Sequence, residues 1–300
     1  MTFAKKVQRL KGKASSSDTI KRELEDEIED PAALAANHIE MHSKWVHGYN
    51  IGRPRASSIH KACIRMHVIG TVKKLGKQEI TTVRTRLLWG YGNAYHWWVQ
   101  NTPDVFGLRR LGWWKCYACG KVLYFGYPPK QECKFCGASP RAAFYHEHSL
   151  KLESPFPVSG HPDLFLDVHK LIRVVEAKTM NGADFVKLVA PLADHEFQCQ
   201  TYMWGCARDK NLPVKIDPEV GYILYISKKS IRSALPFKMF KVRKNASILK
   251  QIKAKCRSYR VGVEDYPKSL PDPHDECLRN EFRNYMAKHC VSRKECLRYA

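Results

Sequence analysis

The stretch GHPDLFLDVHKLIRVVEAKT, residues 160–179, decides the fold class of this chain. Its segments VSGHPDLFLDV (158–168) and IRVVEAKT (172–179) are apolar or alternating and predict two neighbouring β-strands joined by a turn. Residues two apart on a strand lie on one face, so Glu176 and Lys178 point together while Ala177 faces the core. Because burying a charge is costly, this pair needs either a plain salt bridge or a metal site to explain it.

Asp163 supplies a second carboxylate directly after the Gly-His-Pro turn. Mg²⁺ or Mn²⁺ prefers oxygen ligands, activates water and neutralises charge on a phosphate, and a nearby lysine can position that water or stabilise the transition state. We therefore expect Asp163 and Glu176 to hold a divalent cation beside Lys178. Asp167 could face the same side of the strand and is the lesser candidate.

The order Pro162-Asp163 followed by Glu176-Ala177-Lys178 resembles the PD-(D/E)XK nuclease superfamily. The flanking residues resemble its RecB-type branch, which includes AddB and the CRISPR-associated RecB-like exonucleases. The resemblance covers roughly residues 57–230, with an interruption.

Four flanking residues carry the RecB-type resemblance. GYGNAYHWW (90–98) offers the histidine of a helix ahead of the strands, His96, and YHEHSL (145–150) offers a glutamate, Glu147. HEFQCQTYMW (195–204) matches the Gln-x₃-Tyr of the helix that follows, as Gln198 and Tyr202, whose spacing places them on one helical face. A half-buried structural role for His96 and a surface position for Glu147 are the alternatives.

The resemblance implies an α/β fold with a mixed central sheet flanked by helices. It implies that His96, Asp163 and Glu176, with Glu147, hold the catalytic metal, and that Lys178 acts on the attacking water. Gln198 and Tyr202 would contact DNA or order the site. The implied reaction is hydrolysis of phosphodiester bonds in DNA, more as an exonuclease than as an endonuclease. By analogy the chain resembles phage or mobile-element enzymes that work with recombination or replication proteins.

Two other functions stay open at this stage. A structure-specific endonuclease or resolvase would use the same chemistry on branched or closed DNA. A zinc-ribbon DNA-binding protein with a degenerate nuclease fold would also be basic and rich in cysteine, although it would have no use for the acidic residues and the lysine.

One cysteine set predicts a structural zinc ribbon. Two Cys-x₂-Cys pairs, each followed by glycine, are thirteen residues apart: Cys116, Cys119, Cys133 and Cys136. An iron site of the rubredoxin type has similar spacing, and a redox dithiol is the weaker rival. The ribbon also carries aromatic and basic residues that would either bind phosphates and unstacked bases or pack the ribbon on the core: Trp113, Trp114, Lys115, Tyr117, Lys121, Lys130 and Lys134.

The second cysteine set follows from the resemblance. SSIHKACIR (57–65) is similar to the Ser-rich helix start and Cys-x-Arg of RecB-type nucleases with an iron–sulfur cluster. The resemblance then implies that Cys63, Cys277, Cys290 and Cys296 bind a [4Fe–4S] cluster that joins the tail to the N-terminal helix. Cys277 departs from the spacing of that family, and Cys256 is an alternative ligand. Four ordinary thiols are the simpler explanation.

Composition indicates a polyanionic partner. The chain has 51 Lys and Arg against 29 Asp and Glu, a formal charge of +22, which favours DNA over a lipid surface because no basic amphipathic helix stands out. No apolar run has membrane-spanning length, and the basic N-terminus lacks the apolar stretch of a secretory signal. With 11 cysteines at metal-ligand spacing, we expect a reducing cytoplasm, that of the host if the protein is viral.

The expected organisation has five parts, which are a basic arm and helix over 1–50, a helical part of the catalytic domain over 51–111, the zinc ribbon over 112–140, the catalytic core over 141–260 and the cysteine-containing tail over 261–300. Helices are expected over 57–75, beginning at Ser57 or Ser58, and over 81–100, 183–207 and 245–260. Strands are expected over 143–153, 158–168, 172–179 and 221–229.

Overall fold

A computed structural model describes residues 45–50, 52–81, 83–228, 236–279 and 290–299. The chain divides into two compact units, a smaller one of residues 1–47 and 79–86 and a larger one of residues 48–78 and 87–300. The sites described below lie in the larger unit. The basic arm and helix were predicted over residues 1–50. Residues 1–44 lie outside the described residues, so the arm and helix stay predictions.

The elements are numbered in chain order. The strands are β1 (Trp45–Asn50), β2 (Gly76–Thr81), β3 (Arg110–Cys116), β4 (Val122–Gly126), β5 (Ala143–His146), β6 (Leu150–Leu152), β7 (Val158–Gly160), β8 (Leu164–Val168), β9 (Leu171–Met180), β10 (Val220–Ser227) and β11 (Phe237–Arg243). The helices are α1 (Ile64–Val72), α2 (Val83–Asn101), α3 (Gly182–Lys187), α4 (Ala193–Cys206), α5 (Ala246–Glu264), α6 (Asp275–Arg279) and α7 (Arg293–Arg298).

A mixed sheet forms the centre of the larger unit. Within the described residues, seven strands join it in the order β11-β10-β9-β8-β3-β4, with β5 also paired to β3. β9 and β10 are parallel, with Glu176 opposite Ile223, whereas the β8–β9, β10–β11 and β3–β8 pairs are antiparallel. The predicted mixed α/β architecture, with a central sheet flanked by helices, is confirmed.

The sheet is buried on both faces because its strands are apolar on both sides. Val174 of β9 belongs to one core cluster, which includes Phe197 and Met203 of α4. Its neighbour Val175 belongs to the other cluster, which includes Val99 of α2. The alternation along β9 therefore places Glu176 on the α4 side of the sheet. In the part of the chain that the structure describes, no helix is both long and apolar enough to cross a membrane.

Several predicted elements differ from the observed ones. Each of the strands predicted over 143–153 and 158–168 is divided in two, and the helix predicted over 183–207 is divided into α3 and α4. Helix α1 begins at Ile64, so the predicted caps Ser57 and Ser58 are wrong. Residues 56–61 instead form turns, in which Ile59 N donates to Arg55 O at 2.8 Å. Five of the described strands were not predicted: β1, β2, β3, β4 and β11.

Strand β3 connects the central sheet to the cysteine ribbon. Leu111 pairs with Phe165 of β8, and the two strands are antiparallel. β3 therefore runs towards the end of β8 that follows Asp163. From Trp113 to Cys116, β3 pairs instead with β5. The ribbon thus projects from the edge of the sheet at which Asp163 lies. The five-part domain division stays a prediction.

Candidate functional site

Glu176 and Lys178 occupy the centre of the site on β9. The Glu176 side chain is buried, with the residue 1% exposed, and its Oε1 accepts from Lys178 Nζ at 2.6 Å and from Gln198 Nε2 at 2.7 Å. Gln198 reaches across from α4, as its place on the inner face of that helix requires. The other oxygen, Oε2, is buried and has no hydrogen-bond partner among the described residues.

Asp163 lies in the turn between β7 and β8 and joins three elements. Its Oδ2 accepts from the backbone N–H of Ala177 at 2.7 Å, and its Oδ1 is 3.0 Å from His96 Nδ1 on α2. The predicted residues Asp163, Glu176, Lys178 and His96 are therefore brought together.

Glu147 joins the site through Gln100, a residue that was not predicted to belong to it. Gln100 Nε2 donates to Glu147 Oε1 at 2.9 Å and to the backbone oxygen of Asp163 at 2.8 Å. Gln100 is 7% exposed and lies four residues after His96, hence on the same face of α2. That spacing was the signal that could have identified it.

Tyr202 packs under the turn that carries Asp163. Its hydroxyl accepts from the backbone N–H of His161 at 3.2 Å and lies 3.5 Å from Gln198 Nε2. A Cβ at Gly160 would lie 2.9 Å from this hydroxyl, which explains the glycine in the Gly-His-Pro turn. Asp167, the lesser candidate, lies elsewhere, where its carboxylate accepts from Tyr127 and from the Lys170 N–H.

The site carries more negative charge than its own residues balance. Burial and the charge of Asp163 raise the pKa of Glu176 to about 8, and burial raises the pKa of Glu147. Burial opposes ionisation of Asp163 too, but His96 and Lys178 outweigh it and lower that pKa. Burial likewise opposes the charge on Lys178, but Glu176 and Asp163 outweigh it and raise the pKa of Lys178.

These residues fit a divalent cation. One ligand atom from each of His96, Glu147 and Asp163 lies within 4.8 Å of the others. Carboxylate oxygens with one imidazole suit Mg²⁺ or Mn²⁺. The predicted ligand Glu176 is not a member of this group of three, although its buried Oε2 has no hydrogen-bond partner among the described residues. A cation would also offset the repulsion between the buried carboxylates.

The ribbon cysteines are brought together as predicted by their spacing. The four sulfurs of Cys116, Cys119, Cys133 and Cys136 lie within 4.8 Å of one another. The Cys116–Cys136 and Cys119–Cys133 sulfur distances are 3.8 and 3.7 Å, and a tetrahedral zinc with bonds of about 2.3 Å spaces its sulfurs by about 3.8 Å. The cluster could therefore hold zinc.

The two ribbon knuckles have the same backbone turn. Gly120 and Gly137 adopt φ of +68° and +71°, and each donates its N–H to the first cysteine of its pair at 2.8 Å. Glycine tolerates this left-handed conformation without steric cost, which explains why each Cys-x₂-Cys pair ends in glycine.

The second cysteine set lines one cavity. Cys63, Cys277, Cys290 and Cys296 all contribute to it, together with Met66 and His274. Cys256 does not line this cavity but packs in the main core, as do Cys199 and Cys206.

Arg65 reinforces the fit of this cavity to an anionic group. It is 3% exposed, and its Nε donates to Cys296 Sγ at 3.1 Å. Its other hydrogen bonds in the described part of the chain go to the backbone oxygens of Pro271, Cys296 and Tyr299. A buried cation needs a counter-charge, and four thiolates on an iron–sulfur cluster would provide one.

No protein-family model and no curated protein sequence matches this chain. Among solved structures, LHK-Exo in complex with dAMP is similar over 77% of this chain and 94% of its own, with 10% identity and a TM-score of 0.43. The alkaline exonuclease LHK-Exo from Laribacter hongkongensis is similar over 45% of this chain and 62% of its own, with 12% identity and a TM-score of 0.30. Because both scores are below 0.5, the functional proposal rests on the side chains described above.

Proposed function

We propose that this protein is a metal-dependent deoxyribonuclease that hydrolyses phosphodiester bonds. The observation that carries the proposal is the convergence of Asp163, Glu176 and Lys178 with His96 in one buried, carboxylate-rich site. A plain salt bridge would satisfy Glu176 and Lys178, but it would not require Asp163 to be buried near them, with the half-buried Glu147 next to Asp163, at the cost of mutual repulsion.

The side chains have separate roles in the proposal. Asp163, Glu176 and His96, with Glu147, would hold Mg²⁺ or Mn²⁺, which supplies Lewis-acid activation of water and charge neutralisation at the phosphate. Lys178 holds a positive charge beside Glu176, where it can orient the attacking water and stabilise the charge of the transition state. Gln198 fixes the Glu176 carboxylate, and Tyr202 supports the turn that carries Asp163.

Lys178→Ala tests the reaction. We expect it to lower the rate of cleavage of end-labelled linear DNA in Mg²⁺ by about 100-fold or more, the usual loss when one transition-state donor is removed. Lys187→Ala, at the exposed end of α3, is the matched control and should cleave like wild type. Equal cleavage by Lys178→Ala and wild type would show that this site is not a nuclease centre.

We propose exonuclease action as the finer assignment, on the RecB-type resemblance. An exonuclease releases label from 5′- or 3′-labelled linear DNA and leaves covalently closed circular DNA intact. A structure-specific endonuclease or resolvase would cut closed or branched DNA as well, which would contradict the exonuclease assignment but keep the metal-dependent reaction.

The same resemblance supports the wider context that we propose. The chain would be a RecB-type nuclease of phage origin, acting in the host cytoplasm in recombination, repair or replication together with other proteins of those processes. A direct test is whether purified recombination or replication proteins alter its rate on linear DNA.

We further propose structural zinc in the ribbon and a [4Fe–4S] cluster in the cavity of Cys63, Cys277, Cys290 and Cys296. Anaerobically purified protein should be brown, absorb near 400 nm and lose that absorption in Cys63→Ala. Cys256→Ala is the matched control and should stay brown. Colourless wild-type protein without iron would contradict the cluster.

A further inference from the structure

We propose that the outer face of the zinc ribbon binds an unpaired stretch of the DNA substrate by stacking and by phosphate contacts. This knuckle surface consists of Tyr117, Lys121, Lys134 and Phe135. The proposal rests on the proposed function for its substrate, and it adds a binding surface outside the metal site.

The aromatic residues of the ribbon divide into two groups. Trp114 is 2% exposed, its Nε1 donates to the Gly126 oxygen at 2.9 Å, and Trp113 donates to His148 at 3.2 Å, so both tryptophans pack the ribbon onto the sheet. Tyr117 is 84% exposed and Phe135 is 46% exposed, so the core does not account for their size. The packing explanation therefore accounts for the two tryptophans, whereas it does not account for Tyr117 and Phe135.

The charges around Phe135 are those of a polyanion-binding surface. The ammonium groups of Lys121 and Lys134 lie 4.9 and 5.1 Å from the centre of its ring. Between residues 112 and 140 the sequence has four lysines, no arginine and a single acidic residue, Glu132. An exposed ring between two lysines matches the alternation of bases and phosphates in a single strand.

The position of the knuckle surface relative to the metal site suits a continuous strand. β3 runs antiparallel to β8, towards the end of β8 that follows Asp163, and it ends at Cys116, which Tyr117 follows directly. A strand that leaves the metal site in the direction of β3 would therefore run towards the ribbon. Duplex DNA offers no free base faces along its length, so the aromatic rings favour the unpaired form.

Binding is measured with full-length, zinc-loaded Lys178→Ala protein, which separates affinity from cleavage. The probe is a fluorescein-labelled thymidine oligonucleotide of about 20 nucleotides, read by fluorescence anisotropy. We expect Phe135→Ala to weaken binding by about 5- to 100-fold, the loss typical of one stacked base. The double variant Lys121→Gln/Lys134→Gln should lower the slope of log affinity against log salt by about 0.7 for each phosphate that the protein no longer neutralises.

Tyr127→Ala is the matched control. Tyr127 is also 46% exposed in the same ribbon, but its hydroxyl donates to the acidic side chain of Asp167 and it should not bind a polyanion. The proposal is overturned if Phe135→Ala and the double-lysine variant, each with full zinc content, bind the oligonucleotide like the parent. It is also overturned if Tyr127→Ala weakens binding as much, or if Phe135→Ala weakens only duplex binding, since the surface would then have another occupant.

The outcome is separable from that of the proposed function. In the Lys178-containing protein, Phe135→Ala should raise KM for the oligonucleotide and leave kcat unchanged. Absence of any cleavage would contradict the nuclease proposal while the binding difference still stands. Normal cleavage together with unaltered binding and KM in Phe135→Ala would refute the knuckle surface alone.

Discussion

At the scale of single residues, the charge of Asp163 is the feature that a cation would need and that a structural hydrogen bond would not. Asp163→Asn keeps an oxygen to accept from Ala177 N and an amide to face His96, but it loses the charge that a cation needs. In wild type, Mn²⁺ at about 100 times its Kd should stabilise the fold by about 2.7 kcal/mol and raise Tm by several degrees. We expect Asp163→Asn to lose this rise and to lose cleavage.

Asp167→Asn is the control for that prediction, because it makes the same change four residues after Asp163. The Asp167 carboxylate lies outside the metal site and accepts from Tyr127 and from the Lys170 N–H. Its Tm should rise with Mn²⁺ as wild type does. Differential scanning fluorimetry with and without Mn²⁺ measures both variants. Equal shifts in the two would mean that Asp163 does not bind the cation.

The sequence predicts the parts of the site whose residues lie on the same strand or helix, because the periodicity of that element relates them. Glu176 and Lys178 are two apart on a strand, so their common face follows from the pleat alone. The contact of Gln100 with Glu147 joins residues 47 positions apart and depends on how α2 packs on the sheet. The four-residue helical spacing could show that Gln100 faces the same way as His96, but it could not show which residue Gln100 would contact.

At the scale of elements, two of the strands that were not predicted, β3 and β11, have separate physical reasons for being missed. β3 contains Gly112, which weakens strand prediction, yet a Cβ there would lie 2.0 Å from the Tyr145 ring, so close packing requires the glycine. β11 carries lysines at spacings that suggest a solvated segment. Lys238 instead donates to the backbone oxygens of Phe185, Val186 and Leu188, at the end of α3.

The ribbon knuckles permit a prediction in which the same substitution, glycine to alanine, destabilises the protein at one position and stabilises it at another. Gly137→Ala places a Cβ on a residue with φ of +71°, where no atom obstructs it, so the cost is backbone strain of about 1–2 kcal/mol. Gly90→Ala in α2 meets no atom within 4 Å either, and there alanine should stabilise the helix by about 0.5–1 kcal/mol.

Zinc release to a colorimetric chelator and thermal unfolding distinguish the two glycine variants. Gly137→Ala should release zinc faster than wild type, whereas Gly90→Ala should release it at the wild-type rate and unfold at a slightly higher Tm. Unchanged zinc release in Gly137→Ala would show that the left-handed turn does not determine how the knuckle holds its metal.

At the scale of the whole molecule, the described tail returns to the first helix of the larger unit. Arg65 of α1 donates to Pro271, Cys296 and Tyr299, which are more than 200 positions away in the chain. Ser292 Oγ also donates to the backbone oxygen of Met66, at 3.4 Å. From the sequence, the contact between the tail and α1 was suggested only by the resemblance that the Cys-x-Arg motif carries. Neither composition nor periodicity relates segments so far apart in the chain.

Arg65→Lys tests whether this contact holds the tail. The planar guanidinium serves three backbone oxygens and a sulfur at once, whereas one ammonium group on a different stem cannot reach all of them. Each buried acceptor left without a donor costs about 1–3 kcal/mol, so the tail should open locally while the central sheet stays folded. Hydrogen exchange over residues 271–279 and 290–299 should therefore become faster, without a matching change in β9.

Arg298→Ala is the control, since Arg298 is exposed and its pair with Glu295, at 2.7 Å, should contribute less than about 1 kcal/mol. If the cavity of the four cysteines holds an iron–sulfur cluster, the opened tail in Arg65→Lys should also make the protein lose its 400 nm absorption faster in air. Equal exchange rates in Arg65→Lys and Arg298→Ala would mean that the tail is held by its apolar contacts and not by the arginine.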